Sequence, residues 1–364
     1  MTSVAERRLR AQRLVGRRFM SAVEAVSAFA AVQAQDFPAA LWAVGQRTRG
    51  ATAASLGRQF DDGAILRTHI LRPTWHFVLP DDVGWMLALT APRLRKRLAT
   101  RWRQLDLDEP TIARAQEAFS LAIGRDGART RPELAEALDA LGIERAGQRM
   151  AHLLLAAEID GVLISGSRRG KSFTWTRLED RAPSSPPLER DTALARLATR
   201  YYTSHGPATL ADLVWWSGLS TADARNAVSA AGRALARETI DDVDVWSAAA
   251  TTDAPFERPV AHLLPNFDEY TVAYRDRSAV LAAARPFDAS IFSFGSVLAN
   301  VVLVDGLVRG AWRRTLRANE VKLEVTLLDR FSRAESEALD RAVAEFGRFL
   351  GRDVDVAAKV RPGS

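Results

Sequence analysis

The residues best suited to chemistry lie in the segment AVQAQDFP at 31–38. Gln33 and Gln35 stand two residues apart at the end of an apolar run, and Pro38 disfavours helical geometry at Phe37. In an extended chain, residues i and i+2 point the same way. We therefore expect the preceding helix to end here and both carboxamides to face one spot. Each amide offers one acceptor oxygen and two donor hydrogens, enough to bind a water or a base edge.

Two other interpretations of this segment stay open. An isolated Gln-X-Gln is usually a helix end whose side chains bind water or cap a carbonyl, because short motifs often match by chance. Asp36 is the obvious competitor as a base, but in an extended segment it points opposite to Gln35 and ranks below the pair. The elements around the segment must decide between these interpretations.

Helices surround the glutamine segment. Periodic apolar residues predict helices over 7–19, 21–32 and Thr52–Phe60. Ser21 followed by Glu24 is the pattern of a capping box, which predicts the start of the second helix.

The stretch RTHILRPTWHFV at 67–78 predicts two strands, because it is rich in β-branched and aromatic residues. Alternation divides it into two faces. One face holds Thr68, Arg72, Thr74, His76 and Val78, and the other holds His69, Leu71, Pro73, Trp75 and Phe77. We expect His69 to be structural. Helices followed by such a ribbon predict a winged helix-turn-helix with the glutamine pair inside it.

The same pattern recurs twice. Arg131–Ile143 and Ala208–Leu219 share Leu-Ala and a later Gly-apolar pair, as a helix-turn-helix does. Second helices are predicted at Gln148–Ile159 and Thr221–Arg237, and 82–126 is predicted to be helical. Gly161–Trp175 predicts a hairpin whose glycine-rich tip carries Arg168, Arg169 and Lys171.

From about His262 the sequence becomes rich in strand-forming residues, and Asp305-Gly306 predicts a two-residue hairpin turn. A closing helix is predicted at Phe331–Phe349. The fold class is therefore mainly α with β wings (α+β): three tandem winged helix-turn-helix units and a C-terminal α+β cap. The predicted domains are 1–106, 107–180, 190–255 and 256–364, with a Pro/Ser linker at 181–189.

Composition indicates an anionic partner. The 364 residues include 50 basic and 44 acidic ones, a formal charge of +6, and only four of the basic residues are lysine, which leaves 46 arginines. Arginine binds phosphate in a bidentate manner and stacks on bases, although a GC-rich genome explains the arginine count equally well. The absence of cysteine excludes disulfides and thiolate metal sites.

The remaining histidines show no ligand spacing, so no metal is predicted. They are His152, His205 and His262. No apolar run approaches the roughly 18 residues that a membrane helix needs, so no membrane association is expected. The absence of cysteine fits a reducing cytoplasm, and we expect a cytoplasmic, nucleoid-associated protein.

Four stretches together resemble the winged-helix DNA glycosylases of the AlkZ/YcaQ type. They are VQAQD at 32–36, RTHILRPTWHFV at 67–78, LLPNFDEYTVAYRDR at 263–277 and VVLVDGLVRGAWRR at 301–314. The resemblance implies a monomer, C-shaped around a basic channel, that binds double-stranded DNA carrying an alkylated purine or an interstrand crosslink. It implies no cofactor. The Gln-X-Gln form is the one found in the crosslink-unhooking branch.

The chemistry implied is hydrolysis of the N-glycosidic bond. An N7- or N3-alkylated purine already carries positive charge, so it leaves without a general acid, and the protein must place a water against C1′. The carboxamide oxygens of Gln33 and Gln35 are predicted to orient that water. No lysine lies near either motif, so no lyase step is expected.

Other residues are candidates for contact with the lesion, the flanking phosphate or the channel. They are Asp36, Thr68, Arg72, His76, Asp268 and Tyr270, with Arg168, Arg169 and Lys171 as phosphate contacts. Asp268 and Tyr270 serve equally as anchors of the cap, and the basic tip serves equally as a solvated wing. The hairpin that probes the duplex is either the tip at 166–170 or the Asp305-Gly306 turn.

Two functions of other classes remain open. One is a DNA-binding protein or transcription regulator that keeps the fold without catalysis. The other is a protein that sequesters a DNA-alkylating metabolite in the channel. Release of a damaged base from DNA separates the enzyme from both alternatives.

Overall fold

The second helix begins where its capping residue predicts, the first begins three residues before its predicted start, and both end earlier than predicted. The computed structural model describes residues 3–124, 127–182, 188–250, 255–281, 293–294, 297–298, 300–316 and 320–360. Helix α1 is Val4–Ala11 and α2 is Ala22–Phe29. The Ser21 hydroxyl accepts a hydrogen bond from the Glu24 N–H at 3.0 Å, which caps α2. Ala30 adopts φ +64°, which ends α2 before the glutamine segment.

The backbone at Gln33 is extended, as predicted, but Pro38 is not the cause. Strand β1 is Val32–Gln33, and Pro38 lies in the first turn of α3, Phe37–Arg47. Proline is tolerated there because the first-turn N–H groups have no partner within the helix. Pro38 therefore begins the next helix, and the prediction that it ends the preceding one is wrong.

The ribbon predicted over 67–78 is confirmed, and β1 joins it as a third strand. Helix α4 is Ala53–Asp61, β2 is Leu66–His69 and β3 is Trp75–Val78. The antiparallel sheet has the order β1-β3-β2. In its register His76 lies opposite both Gln33 and Thr68. Side chains of directly opposite residues project from the same face of a sheet, so these three form one row.

The order helix, strand, helix, helix, strand, strand then occurs again. The predicted helical stretch 82–126 is two helices, α5 Pro80–Gln104 and α6 Glu109–Ile123. Helix α6 opens the second group, followed by β4 Arg129–Thr130, α7 Arg131–Asp139, α8 Arg149–Ile159, β5 Leu163–Ser165 and β6 Thr174–Arg177. Its sheet has the order β4-β6-β5, which matches the first sheet.

A third group follows the same order, with a single bridge in place of the first strand. Its elements are α9 Arg190–His205, α10 Leu210–Ser217, α11 Thr221–Ala231, β7 Leu235–Ile240 and β8 Val243–Ala248. The bridge joins Ala208 to Trp246. Helix α11 stops short of the predicted end at Arg237, because Gly232 takes a positive φ and the chain enters β7.

The C-terminal part is built on a five-stranded sheet. Its elements are β9 Ala261–Leu264, α12 Glu269–Val272, α13 Ser278–Leu281, β10 Ser293–Phe294, β11 Val297–Leu298, β12 Val301–Val304, β13 Leu307–Leu316, β14 Glu320–Leu327, α14 Arg333–Leu350 and β15 Asp353–Val360. The sheet order is β15-β14-β13-β12-β9. The predicted turn at Asp305-Gly306 joins β12 to β13, with both residues at positive φ.

The hydrophobic cores show which elements position the glutamine segment. One core combines α2, α3 and α4 with the C-terminal sheet and α14; Trp42 packs edge-on against Phe346 with ring centroids 5.0 Å apart. A second core joins β2, β3 and the start of α5 to α9, α10 and α11. Strand β1 contributes Val32 to the first core. The segment is therefore held between the N-terminal, third and C-terminal groups.

Candidate active site

Gln33 is buried and held from two directions. Its backbone N–H donates to Glu269 Oε1 at 2.6 Å, and its side-chain Oε1 accepts from Arg72 Nη2 at 2.7 Å. The residue is 5% exposed. Because the N–H points away from β3, Gln33 and His76 form a non-hydrogen-bonded cross-strand pair, the type in which side chains are closer.

Gln35 lies at the surface just beyond β1. Its side-chain Oε1 accepts from the Trp75 N–H at 3.3 Å, and Arg67 donates to the carbonyls of Gln35 at 3.4 Å and Ala34 at 2.9 Å. The Arg67 guanidinium also lies 4.3 Å from the Trp75 ring centroid. The sequence analysis expected both carboxamides to face one spot; in the structure Gln33 is buried and Gln35 is exposed. The pair instead shares strand β3, since Gln33 is opposite His76 and Gln35 bonds to Trp75.

The hairpin formed by β2 and β3 is rich in buried polar atoms. Four of them have no hydrogen-bond partner among the described residues: Thr68 Oγ1, Arg72 Nε, Thr74 Oγ1 and His76 Nε2. Thr68 and His76 are fully buried. Buried polar groups in native proteins are almost always hydrogen-bonded, so four unpaired ones on one hairpin indicate a place where water or a ligand binds.

The buried carboxylate of Glu269 binds the backbone of Gln33. Glu269 accepts from the Gln33 N–H, from Trp216 Nε1 at 3.0 Å and from His205 Nε2 at 3.3 Å. Burial alone would raise the pKa of Glu269, but the hydrogen bond and charge of His205 and the Gln33 N–H outweigh it, and the pKa lies below its ordinary value. The third group and α12 are thereby tied to β1.

The sequence analysis missed Glu269 and set His205 aside. Glu269 stands between Asp268 and Tyr270, which were named as candidates. The available signal was a third polar residue in the same motif, and nothing in that motif shows which of the three faces Gln33. His205 is 64 residues away along the chain and meets Glu269 only in the folded protein, where its ring packs edge-on against Phe29 of α2.

Asp268 and Tyr270 are fully buried and engaged within the protein. Both carboxylate oxygens of Asp268 accept from Arg47, at 2.8 and 2.9 Å. The Tyr270 hydroxyl lies 2.9 Å from the Ala5 carbonyl oxygen. These contacts anchor α12 to α1 and α3. Asp36 caps α3, because its Oδ1 accepts from the Ala39 N–H at 3.1 Å.

Two of the three basic side chains at the tip between β5 and β6 form ion pairs with acidic residues. Arg168 is paired with Asp61 at 2.7 Å, and Arg169 with Glu133 at 2.7 Å. Lys171 is exposed and has no ion pair with any described residue. The three phosphate contacts remain predictions, and of the three side chains only that of Lys171 reaches solvent without an acidic partner.

The Asp305-Gly306 turn packs into the protein. The Gly306 carbonyl oxygen lies 3.0 Å from the Tyr270 hydroxyl, and a Cβ added at Gly306 would lie 3.2 Å from Ala5. This turn is therefore not exposed as a duplex probe must be. The tip at 166–170 is the more exposed of the two predicted hairpins.

Within the described ranges, no three side chains of His, Cys, Asp or Glu lie together as a metal site requires. None of the helices in those ranges is both long and apolar enough to cross a membrane.

The chain is similar to known proteins over nearly its whole length. It is 25% identical over 359 residues to a Streptomyces sahachiroi protein named interstrand DNA cross-link repair glycosylase, covering 94% of this chain and 95% of that protein. Its fold matches the solved structure of the Streptomyces sahachiroi DNA glycosylase AlkZ with a TM-score of 0.78, at 22% identity and with 97% and 98% of the two chains covered. The sequence model of the AlkZ-like DNA glycosylases matches residues 26–349. The chain therefore belongs to the AlkZ-like DNA glycosylase family.

Proposed function

We propose that this protein is a monofunctional DNA glycosylase that hydrolyses the N-glycosidic bond of alkylated purines, including bulky adducts and interstrand crosslinks. One observation carries the proposal: Gln33 ends strand β1 and Gln35 lies just beyond it, beside a hairpin that buries four polar atoms without a hydrogen-bond partner among the described residues. The name of the Streptomyces sahachiroi relative, which refers to crosslink repair, supports the substrate class.

The proposed architecture is three tandem winged-helix units and a C-terminal cap. The repeated order of helix, strand, helix, helix, strand and strand supports this, as does the identical strand order of the first two sheets. We propose that the units bend around one duplex as a monomer, with the excess of +6 charges facing its phosphates.

The proposed catalysis is the placement of one water. An alkylated purine is cationic, so the electron pair of the breaking bond neutralises it and leaves an oxocarbenium-like sugar. The amide oxygens of Gln33 and Gln35 each accept one bond within the protein, from Arg72 and from the Trp75 N–H, and each retains a second lone pair for water. Holding a reactant in an attack geometry supplies much of the rate enhancement of such enzymes.

The exposure of Gln35 supports an open site. A base tethered to the opposite strand cannot be turned fully into a closed pocket, as most glycosylases require. A catalytic amide at the surface suits a lesion that stays within the groove. No lyase step is proposed, because the four lysines stand at 96, 171, 322 and 359, away from the motif in sequence.

The test is base release from an oligonucleotide containing N7-methylguanine or a nitrogen-mustard crosslink, read by alkaline cleavage of the abasic site. We expect Gln33→Ala and Gln35→Ala each to slow single-turnover release about 100-fold, since a misplaced reactant costs about that much. Affinity for the DNA should stay unchanged. Gln104→Ala is the control, because Gln104 is an exposed glutamine at the end of α5.

Two results would contradict the proposal. Release by Gln35→Ala at the wild-type rate would remove this glutamine from the mechanism. Salt-sensitive binding to any duplex without base release would support the non-catalytic DNA-binding alternative.

A further inference from the structure

The imidazole of His76 is buried with one ring nitrogen bound and the other unbound. Nδ1 lies 2.9 Å from the Thr74 carbonyl oxygen, which can only accept, so Nδ1 carries a proton. Burial, and then the charge of Arg72, lower the pKa of His76 to about 3, so the ring is neutral at pH 7. Nε2 is therefore an unprotonated acceptor, and it has no hydrogen-bond partner in the part of the chain that the structure describes.

Three titratable or charged groups from neighbouring elements act on this ring. Arg72 and His69 favour its neutral form, while Glu269 favours the protonated form. Burial exceeds each of these influences. The lone pair on Nε2 therefore stays available well below neutral pH.

Two residues flank His76 across the sheet. Gln33 on β1 and Thr68 on β2 lie directly opposite His76, so the three side chains stand in one row. The Thr68 hydroxyl is also buried without a partner among the described residues. An acceptor nitrogen and a hydroxyl in adjacent positions of a buried polar face are the groups that bind an ordered water.

We propose that His76 Nε2 accepts a hydrogen bond from the water that attacks C1′, while Gln33 holds the same water from the neighbouring strand. This inference rests on the function proposed above and adds a residue to it. A water donates only two hydrogen bonds: Gln33 Oε1, which already accepts from Arg72, takes one, and His76 Nε2 takes the other in place of the Gln35 oxygen. The Thr68 hydroxyl donates to the lone pair of the water oxygen that does not attack C1′.

The attack of water on C1′ conserves atoms and charge. The water oxygen forms a bond to C1′ as the bond from C1′ to the purine nitrogen breaks, and the released electron pair neutralises the cationic purine. The adduct on C1′ is a protonated hydroxyl, which is a far stronger acid than an imidazolium ion. It passes one proton to His76 Nε2, and the imidazolium returns that proton to solvent.

His76→Gln and His76→Asn form a matched pair for the test. The glutamine amide reaches the position of Nε2 and restores an acceptor there, whereas the asparagine amide reaches only the position of Nδ1. We expect His76→Asn to slow single-turnover release of N7-methylguanine about 100-fold and His76→Gln to stay within about tenfold of wild type. Both variants should bind the oligonucleotide as wild type does, and a merely structural role would not separate them in this order.

The pH dependence gives a second measurement. With a pKa of about 3 for His76, the wild-type rate should be flat from pH 8 to pH 5. A histidine of ordinary pKa would lose about 30-fold over that range, because little of it stays neutral at pH 5. The ¹⁵N chemical shifts of His76, assigned with the His76→Gln variant, should report the neutral Nδ1–H tautomer throughout.

These experiments distinguish an error in the role of His76 from an error in the proposed function. If Gln35→Ala loses activity while His76→Asn releases base at the wild-type rate, the role of His76 is wrong and the proposed function stands. If the His76 shifts titrate near pH 6.5, the assigned tautomer and the inference fail together. If the wild-type protein releases no base, the proposed function fails and takes this inference with it.

Discussion

At the scale of residues, the site joins neutral side chains to a few buried charges. Gln33, His76 and Thr68 carry no net charge in the row across the sheet, while Arg72 and Glu269 hold the two ends of Gln33. Neutral groups suit the cationic leaving group proposed above, because no proton must be supplied to it. The buried charges fix geometry: Arg72 orients the amide of Gln33 and Glu269 orients its backbone.

Two buried histidines should make stability depend on pH. Burial is the largest cause that lowers the pKa values of His76 and His262, each to about 3. Below the unfolded value of about 6.5 the unfolded chain binds more protons than the native one, so acid favours unfolding. Each histidine should remove up to about 1.4 kcal/mol of unfolding free energy per pH unit as pH falls from about 6.5 towards 3.

Urea unfolding of wild type and His262→Gln between pH 7 and pH 5 measures this effect. The variant should show the flatter dependence, because its side chain does not titrate, while His76 still contributes in both proteins. Parallel curves for the two proteins would contradict the buried neutral state of His262.

At the scale of elements, the hairpin that carries Arg72 is supported by the end of α10. Gly218 caps that helix in the left-handed conformation, with φ +70°, and a Cβ there would meet the Leu71 carbonyl oxygen at 2.5 Å. Its own carbonyl accepts from Arg93 at 2.6 Å. The third group therefore fixes the turn between β2 and β3 by close backbone contact, which only glycine permits.

Gly218→Ala should destabilise the protein by about 3 kcal/mol, because a left-handed alanine and a backbone collision add together. Gly351→Ala is the matched control: Gly351 caps α14 in the same conformation, with φ +63°, and a Cβ there meets nothing within 4 Å. It should cost only about 1 kcal/mol. Urea unfolding gives both values, and base release should fall for Gly218→Ala alone. Equal costs would show that Leu71 yields to the methyl group.

At the scale of the whole molecule, the cores do not follow the chain order of the predicted domains. The core beneath α2, α3 and α4 includes Trp312, Phe346 and Phe349 from the C-terminal sheet and helix. The core of the second group extends from Leu94 to Trp175 and draws on that stretch alone. Helix α5 is shared, because its start packs in a different core with α9 to α11.

This arrangement predicts that two fragments behave differently. Residues 93–180 should fold alone with a cooperative urea transition, because their core is complete. Residues 1–106 should not, because their apolar faces lack the partners at 261–350. Circular dichroism during urea unfolding distinguishes the two outcomes. A cooperative transition of the 1–106 fragment would show that the C-terminal part is dispensable for its core.

Much of the fold could be predicted from local sequence patterns. The cap at Ser21, the strands over 67–78, the repeated helices and the Asp305-Gly306 turn each follow from neighbouring residues, because caps, alternation and turn chemistry act within a few positions. Helix ends were less certain: Ala30 ends α2 with a positive φ that alanine rarely adopts. Pro38 was misread because proline both follows helices and begins them.

The sequence by itself determined that Gln33 lies in an extended segment beside a strand with polar residues, because side-chain alternation is a local property of the backbone. Only the tertiary structure decided that Gln33 is buried, that Arg72 and Glu269 form hydrogen bonds with it, and that Gln35 stays at the surface. Glu269 is 236 residues from Gln33. A contact across that distance exists because separate elements share one core, and no short-range pattern encodes which acid, Asp268 or Glu269, will face the site.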